Sequence, residues 1–261
     1  MSASASGASD HELSACAALL ARGDPPRLRA AMAAPVAMRR LLLPLYAFNL
    51  EVARAPWVTQ EPTIALMRLQ WWRDALEEIA QGAARRHEVV TPLAAVLAPE
   101  DARALDRLVA ARTADVEAEA PRDRQAVLDY VDATAGTLLA VAARRAGGGE
   151  TAAKAAGRAQ GIANLLAAVP DLVARGRHPL PHGDPAEHAA ALIDGARAAL
   201  ARARAQAVPR PARPVFLVVP EAEAVLDRLA RDPAAVMEGV AQDADLRTRL
   251  RRARQRLTGR F

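Results

Sequence analysis

Apolar residues in this chain recur three and four positions apart. Leu41, Leu45, Phe48 and Val52 are spaced by four, three and four; Leu69, Trp72, Leu76 and Ile79 by three, four and three. That period puts each set on one face of an α-helix and does not fit the two-residue alternation of a half-buried strand. The rest of the chain agrees. Ala and Leu dominate, runs of Val or Ile are few, and aromatics make up 3% of the residues, so local propensity favours helix. With 261 residues, 52% of them apolar, the chain can bury a real core and is globular rather than disordered. The expectation is a single all-α domain.

Punctuation along the chain divides it into helices. Ser9-Asp10-His11-Glu12 reads as a capping box for a first helix that stops at Gly23. Asp24-Pro25 restarts the chain as N-cap and first helical residue. Pro44 lies inside the Leu41–Val52 stripe and is expected to kink that helix, which Pro56 ends. The Trp72 helix closes at Gly82. An apolar segment covers 87–97, and a polar helix covers 101–119 with Leu105, Leu108 and Val116 inward. Another helix is expected over 124–145, then a Gly147-Gly148-Gly149 loop. Helix returns over 151–166 and 186–206, with a Gly/His/Pro loop between. PVFLVVP, residues 214–220, is compatible with a strand or with a buried helix. Residues 1–8 are expected to be disordered, and 9–245 to form the domain. Residues 246–261 are expected to be a basic C-terminal helix or tail, frayed and solvated, with only a thin apolar edge at Leu246, Leu250 and Leu257.

The net charge is +5, and Lys154 is the only lysine. Arginine forks suit phosphate, but these arginines sit beside Asp and Glu at helical spacing. Solvated pairs account for them better, and no nucleic-acid partner is expected. The single Cys16 cannot form an internal disulfide and points to core packing in a reducing compartment. The N-terminal residues lack a basic region and an apolar core, so no signal peptide is expected. No apolar run approaches the ~20 residues of a membrane span. The expected location is cytoplasmic, with peripheral contact to the inner membrane left open. Serine is confined to the first fourteen residues, which excludes a core serine nucleophile. No Ser/His/Asp triad, Gly-rich phosphate loop or Cys-His constellation emerges, and His178, His182 and His188 lack metal-ligand spacing.

Several segments, taken in order, resemble the squalene/phytoene synthase family. They are DPPRLRAAMAAPVAMRRLLLPLYAFN, MRLQWWRDAL, HEVVTPLAAVL, YVDATAG, GRAQGIAN, GRHPLP and VLDRLAR, spanning residues 14–232 or so. The resemblance implies an isoprenoid-synthase-type helical domain around a central cavity. Active members join two prenyl diphosphates head to head and need acidic clusters on two facing helices. Magnesium takes oxygen ligands and must neutralise each diphosphate before it can leave.

Active members look like Y-A-F-x-R-x-x-D-D-x-x-D in the first cluster. Here Tyr46, Ala47 and Phe48 match, the arginine position is Leu50, and the acids fall on Ala53, Arg54 and Trp57. Glu51 and Arg54 read as a surface-type pair. The second cluster looks like Q-x-x-N-I-x-R-D-x-x-E-D-x-x-x-G-R. Here Asn164, Gly176 and Arg177 match; Gly161, Ala167, Ala168 and Leu172 replace the glutamine, the arginine and two acids; Asp171 stands for a Glu. Pro170 is expected to disturb the helix there. Of the tyrosine motif, Tyr130 and Ala135-Gly136 match, while a later glycine position is Leu139.

A branch of the family shares these departures: the mitochondrial complex I assembly factor and its bacterial relatives. Its pattern is similar to AFNLEVA, then S-E-P, then R-x-Q-x-W. This chain has AFNLEVA, Gln60-Glu61-Pro62 and Arg68-Leu69-Gln70-Trp71-Trp72. The resemblance therefore implies a non-catalytic binding or assembly protein. Its expected partners are a respiratory-chain or other protein component and an isoprenoid or lipid-like ligand. The alternative is a head-to-head prenyl diphosphate synthase using Mg²⁺ on displaced ligands such as Glu51 and Asp171. Outside that alternative no cofactor is expected, and no catalytic or metal-ligating residue is assigned. Candidate cavity or ligand residues are Arg39, Tyr46, Asn49, Glu51, Arg68, Trp72, Tyr130, Asn164, Asp171 and Arg177. Bland roles compete with each: Trp71 and Trp72 as core, Arg68 and Gln70 as a solvated face, Arg177 as a loop cap. His87 reads as structural and Asp115 as a helix partner of Arg112.

Overall fold

A computed structural model describes residues 10–59, 61–117, 119–239 and 246–258. Among these the chain is all-helical, without a strand. It gathers into two compact units, residues 1–116 and 117–261. Ser9 of the expected capping box and Gln60 of the Q-E-P motif lie outside the described residues.

In the first unit, α1 (Asp10–Gly23) buries Cys16 and Leu20. It stops where a Cβ on Gly23 would stand 2.7 Å from Leu50 Cδ2. Asp24 caps α2 (Pro25–Ala33), accepting the Arg27 N–H at 3.1 Å and Arg27 Nη1 at 2.5 Å. α3 (Val36–Arg54) then continues through Pro44 without interruption and packs against α1, α2 and the short α5 (Val90–Ala94). Leu41, Leu45, Phe48 and Val52 are all buried. After a 3₁₀ turn at Ala55–Trp57, α4 (Pro62–Ala80) begins with proline at its first position. Its buried stripe, including Leu69, Trp72, Leu76 and Ile79, meets α6 (Pro99–Ala111), and Arg73 Nε reaches Asp106 Oδ1 at 2.7 Å. Asp101 is fully buried and accepts the Ala98 N–H at 3.0 Å, which starts α6.

The helix expected over 101–119 ends early, at Ala111. The Thr113 hydroxyl donates to the Ala110 carbonyl at 2.8 Å, and Arg112–Asp115 turns as 3₁₀ with its own 3.1 Å ion pair. A local side-chain bond competes here with the next helical turn. Val116 is only half-buried as a result.

In the second unit, Asp123 caps α7 (Arg124–Val131), accepting the Ala126 N–H at 2.8 Å. α7 passes through a single π turn, Asp132–Gly136, into α8 (Thr137–Arg145). The stretch Arg124–Arg145 is long and apolar enough to cross a membrane by length and composition, contrary to the sequence expectation, but 56% of the apolar window is buried in the protein. Asp132 in its middle is ion-paired to Arg158. Gly147, Gly148 and Gly149 take φ of 105°, 119° and 86°, a left-handed run that other residues adopt poorly. α9 (Glu150–Ala174) follows and packs against α7, α8, α10 (Pro185–Arg204) and α11 (Val219–Leu229).

Pro170 does not break α9, which continues to Ala174. A proline removes one backbone hydrogen bond, but Leu166 and Val169 are buried on the packed face and hold the helix together. The end comes at Gly176, φ 74°, where Arg177 N–H bonds Leu172 O at 2.9 Å and Gly176 N–H bonds Val173 O at 2.9 Å. This pattern is a Schellman stop.

PVFLVVP settles as helix. Arg210–Val218 is 3₁₀ and leads into α11, with Val215 to Val219 all buried. A strand needs a partner for its backbone donors, and none exists among the described residues; a helical segment satisfies them internally. The described part of the basic C-terminal stretch forms α12 (Leu246–Thr258), which packs on α11 and on the 210–218 segment, with Thr248, Arg252 and Gln255 buried rather than solvated; residues 259–261 lie outside the described residues.

Candidate functional site

The residues that would form the first ligand wall lie on the last turns of α3. Tyr46 is fully buried, and its ring faces the Arg27 guanidinium, 5.8 Å from Cζ to centroid. Its hydroxyl has no hydrogen-bond partner among the described residues. Burial pushes the phenol pKa well up, so it stays a neutral donor. Asn49 is buried. Glu51 and Arg54 stand one turn apart with 3.8 Å between them, 25% and 51% exposed. Ala53 is half-buried between them. This edge offers one carboxylate, already paired with a cation three residues on.

Arg39 works inside the fold: Nε donates to Ala34 O at 3.2 Å and Nη2 to Met32 O at 3.0 Å. It thereby satisfies carbonyls left open at the end of α2. Trp72 is 5% exposed and meets Phe48 edge-on at 5.4 Å and Trp71 at 5.0 Å. The His87 ring lies 5.1 Å and 5.6 Å from the two indoles, and its Nδ1 accepts the Val89 N–H at 3.1 Å. Trp72 is core with Trp71 half-buried against it, and His87 positions the start of α5. Arg68 is exposed although it stands one turn from Trp72; Gln70 is exposed and bonds Asp74 at 2.7 Å.

The second wall lies on α9. Asn164 and Asp171 are exposed and Ala168 is half-buried, on one side of the helix at spacings of four and three. The opposite side buries Ala159, Ile162, Ala163, Leu166 and Val169. Arg177 is half-buried in the Schellman turn, where its backbone supplies the closing bond. Tyr130 is half-buried, and its carbonyl accepts the Thr134 hydroxyl at 2.7 Å.

One cluster escaped the sequence reading. The π turn is braced by a two-pronged pair, Arg158 to Asp132, with Nε to Oδ1 at 2.7 Å and a second bond from Nη2 to Oδ2. Two residues further along α9, Gln160 is buried, with its Oε1 unpartnered among the described residues. The partners are 26 residues apart, so no local spacing advertised them.

Among the described residues no three His, Cys, Asp or Glu side chains come together as a metal site. Magnesium, which the fold type brings to mind, needs hard oxygen donors and near-octahedral geometry. The α3 edge presents Ala53, Arg54 and Trp57 with one engaged carboxylate, and the α9 edge presents Ala167, Ala168 and Leu172 with Asp171 alone. Neither donor set fits the ion.

Comparison with known proteins agrees with this architecture. Two solved structures share the fold: a dehydrosqualene synthase in complex with ligand (TM-score 0.75, 12% identity, covering 95% of each chain) and the squalene synthase HpnC from Alicyclobacillus acidocaldarius (TM-score 0.70, 18% identity, covering 85% of this chain and 94% of that one). Among curated proteins, NADH dehydrogenase (ubiquinone) complex I, assembly factor 6 of Mus musculus is 29% identical over 161 residues, 59% of this chain and 48% of its own length. The Drosophila melanogaster homolog is 28% identical over 250 residues, 83% of this chain and 75% of its own. The chain thus spans about half the length of the mouse relative. Residues 20–190 match the family profile described as squalene/phytoene synthase. That match runs over more than half of the sequence, and with the helical architecture it establishes that the chain belongs to the squalene/phytoene synthase family.

Proposed function

We propose that this protein is a non-catalytic member of its family that serves the assembly of a respiratory complex, the role named for its relatives, complex I assembly factor 6. The observation that carries the reading is the pair at the α3 edge. Arg54 stands where a ligand carboxylate would be needed and is engaged with Glu51 at 3.8 Å. A cation at that position opposes the approach of a divalent metal and leaves diphosphate without its counter-ion. We infer a cytoplasmic protein peripheral to the inner membrane, with a respiratory-chain subunit as partner, an isoprenoid or lipid-like ligand, and no metal cofactor.

Two measurements test this. Purified protein incubated with Mg²⁺ and farnesyl or geranylgeranyl diphosphate is expected to release no diphosphate. Release at enzyme-like rates, around 1 s⁻¹ or faster, would overturn the reading in favour of prenyl transfer. Deleting the gene in its own host is expected to deplete assembled complex I; normal levels of the complex would refute the assembly role.

A further inference from the structure

The C-terminal helix α12 is built inside out. Its composition is strongly basic: six arginines and no acid over Leu246–Thr258. The side it turns to the protein is nonetheless polar. Thr248, Arg252 and Gln255, spaced by four and three, are buried, and Arg252 is ion-paired with Glu221 and donates to the Leu217 carbonyl. On the outer side, spaced by three and four, stand Leu250, 60% exposed, Ala253, exposed, and Leu257, 85% exposed. Positions two apart differ by ~200° around a helix, so the exposed leucines and the buried arginine point to opposite sides. Arg247, Arg249, Arg254 and Arg256 are exposed and make no ion pair among the described residues.

A helix whose only task was to cover the core would turn its leucines inward and leave arginine in water. Here the reverse holds, at the cost of desolvating Arg252. An outward apolar edge flanked by exposed arginines has the chemistry of an interfacial helix, with leucines entering the acyl boundary and arginines meeting phosphates. Duplex nucleic acid would use the arginines but not the leucines. We propose that the outer face of α12 docks on the surface of an anionic lipid bilayer. This deepens the membrane-peripheral location inferred above and rests on that part of the reading alone.

Flotation of the full chain with phosphatidylcholine vesicles, with and without phosphatidylglycerol, tests it. The chain is expected to float only with the anionic vesicles. Leu250→Ser with Leu257→Ser is expected to weaken binding by ~10-fold or more, from lost apolar insertion. Arg254→Gln with Arg256→Gln is expected to weaken it ~10-fold and to flatten its salt dependence. All four residues are exposed, so unchanged circular dichroism and melting identify folded variants. The proposal is overturned if no vesicles are bound, if the leucine pair makes no difference, or if duplex DNA is retained while vesicles are not. No respiratory partner is present, so failure here leaves the assembly role standing, and failure of complex I assembly leaves this test standing.

Discussion

The α3 and α9 segments bury themselves by opposite means. α3 does it with bulk: Leu41, Leu42, Leu45, Tyr46 and Phe48 are all enclosed, and Phe48 meets Trp72 edge-on. α9 does it with absence. Gly157 and Gly161 sit against the π turn, and a Cβ on Gly157 would come within 2.4 Å of the Ala135 carbonyl oxygen. In both helices the packed side is intact while the exposed edge carries a single carboxylate, Glu51 on α3 and Asp171 on α9. The lesson is that the residues that pack α3 and α9 and the positions where active family members carry acids lie on different sides of the same helices.

Substitutions can break that comparison. Phe48→Ala should be the costliest, at about 3–5 kcal/mol by chemical denaturation, because it leaves a cavity against Trp72. A loss under 1 kcal/mol would mean that the α3 core can collapse. Gly157→Ala should cost about 1–3 kcal/mol through overpacking, since the atom it meets is backbone and cannot rotate away. Gly161→Ala should cost less, because its nearest contacts, the Cβ atoms of Val131 and Ala135, stand at 3.0 Å rather than 2.4 Å. If the two glycines proved equal, close backbone approach would not be what the π turn requires.

Cys16 sharpens the comparison from within the first unit. It is the only cysteine, and burial pushes its thiol from an ordinary 9.0 up to about 12. The unfolded thiol loses its proton above pH 9 while the folded one keeps it, so stability should fall as pH climbs from 9 toward 12. Below pH 9 this contribution is fully present. Cys16→Ala should flatten that alkaline limb. Alkylation of the native thiol should be slow and should accelerate only as the first unit opens; rapid native labelling would contradict its burial. The smallest effect belongs to the α3 edge. Glu51→Gln with Arg54→Gln should change stability by less than ~0.5 kcal/mol, as exposed pairs do. A larger loss would show that the pair supports the fold.

Much of this was legible in the chain. The stripes on α3 and α4, the Asp24-Pro25 start and the glycine loop follow from 3.6-residue periodicity and turn chemistry. Ala53, Arg54, Ala168 and Leu172 stand where active family members carry acids, which the resemblance to that family made legible. The site candidates were harder. Arg39, Trp72 and Arg177 have polar or aromatic identities that suit a ligand, yet their partners are a carbonyl pair, an aromatic cluster and a helix stop. Identity at a position does not say which neighbour claims it.

The sequence by itself determined an all-helical chain and its buried faces, because these depend on residues within a turn or two of one another. Tertiary structure alone decided the π turn braced by Asp132 and Arg158, the helical form of PVFLVVP, and the outward leucines of α12. Each depends on a partner distant in the chain, 26 residues away for Arg158 and 35 for the Leu217 carbonyl that holds Arg252. Where two faces of a helix are both plausible, the partner that arrives from elsewhere chooses between them.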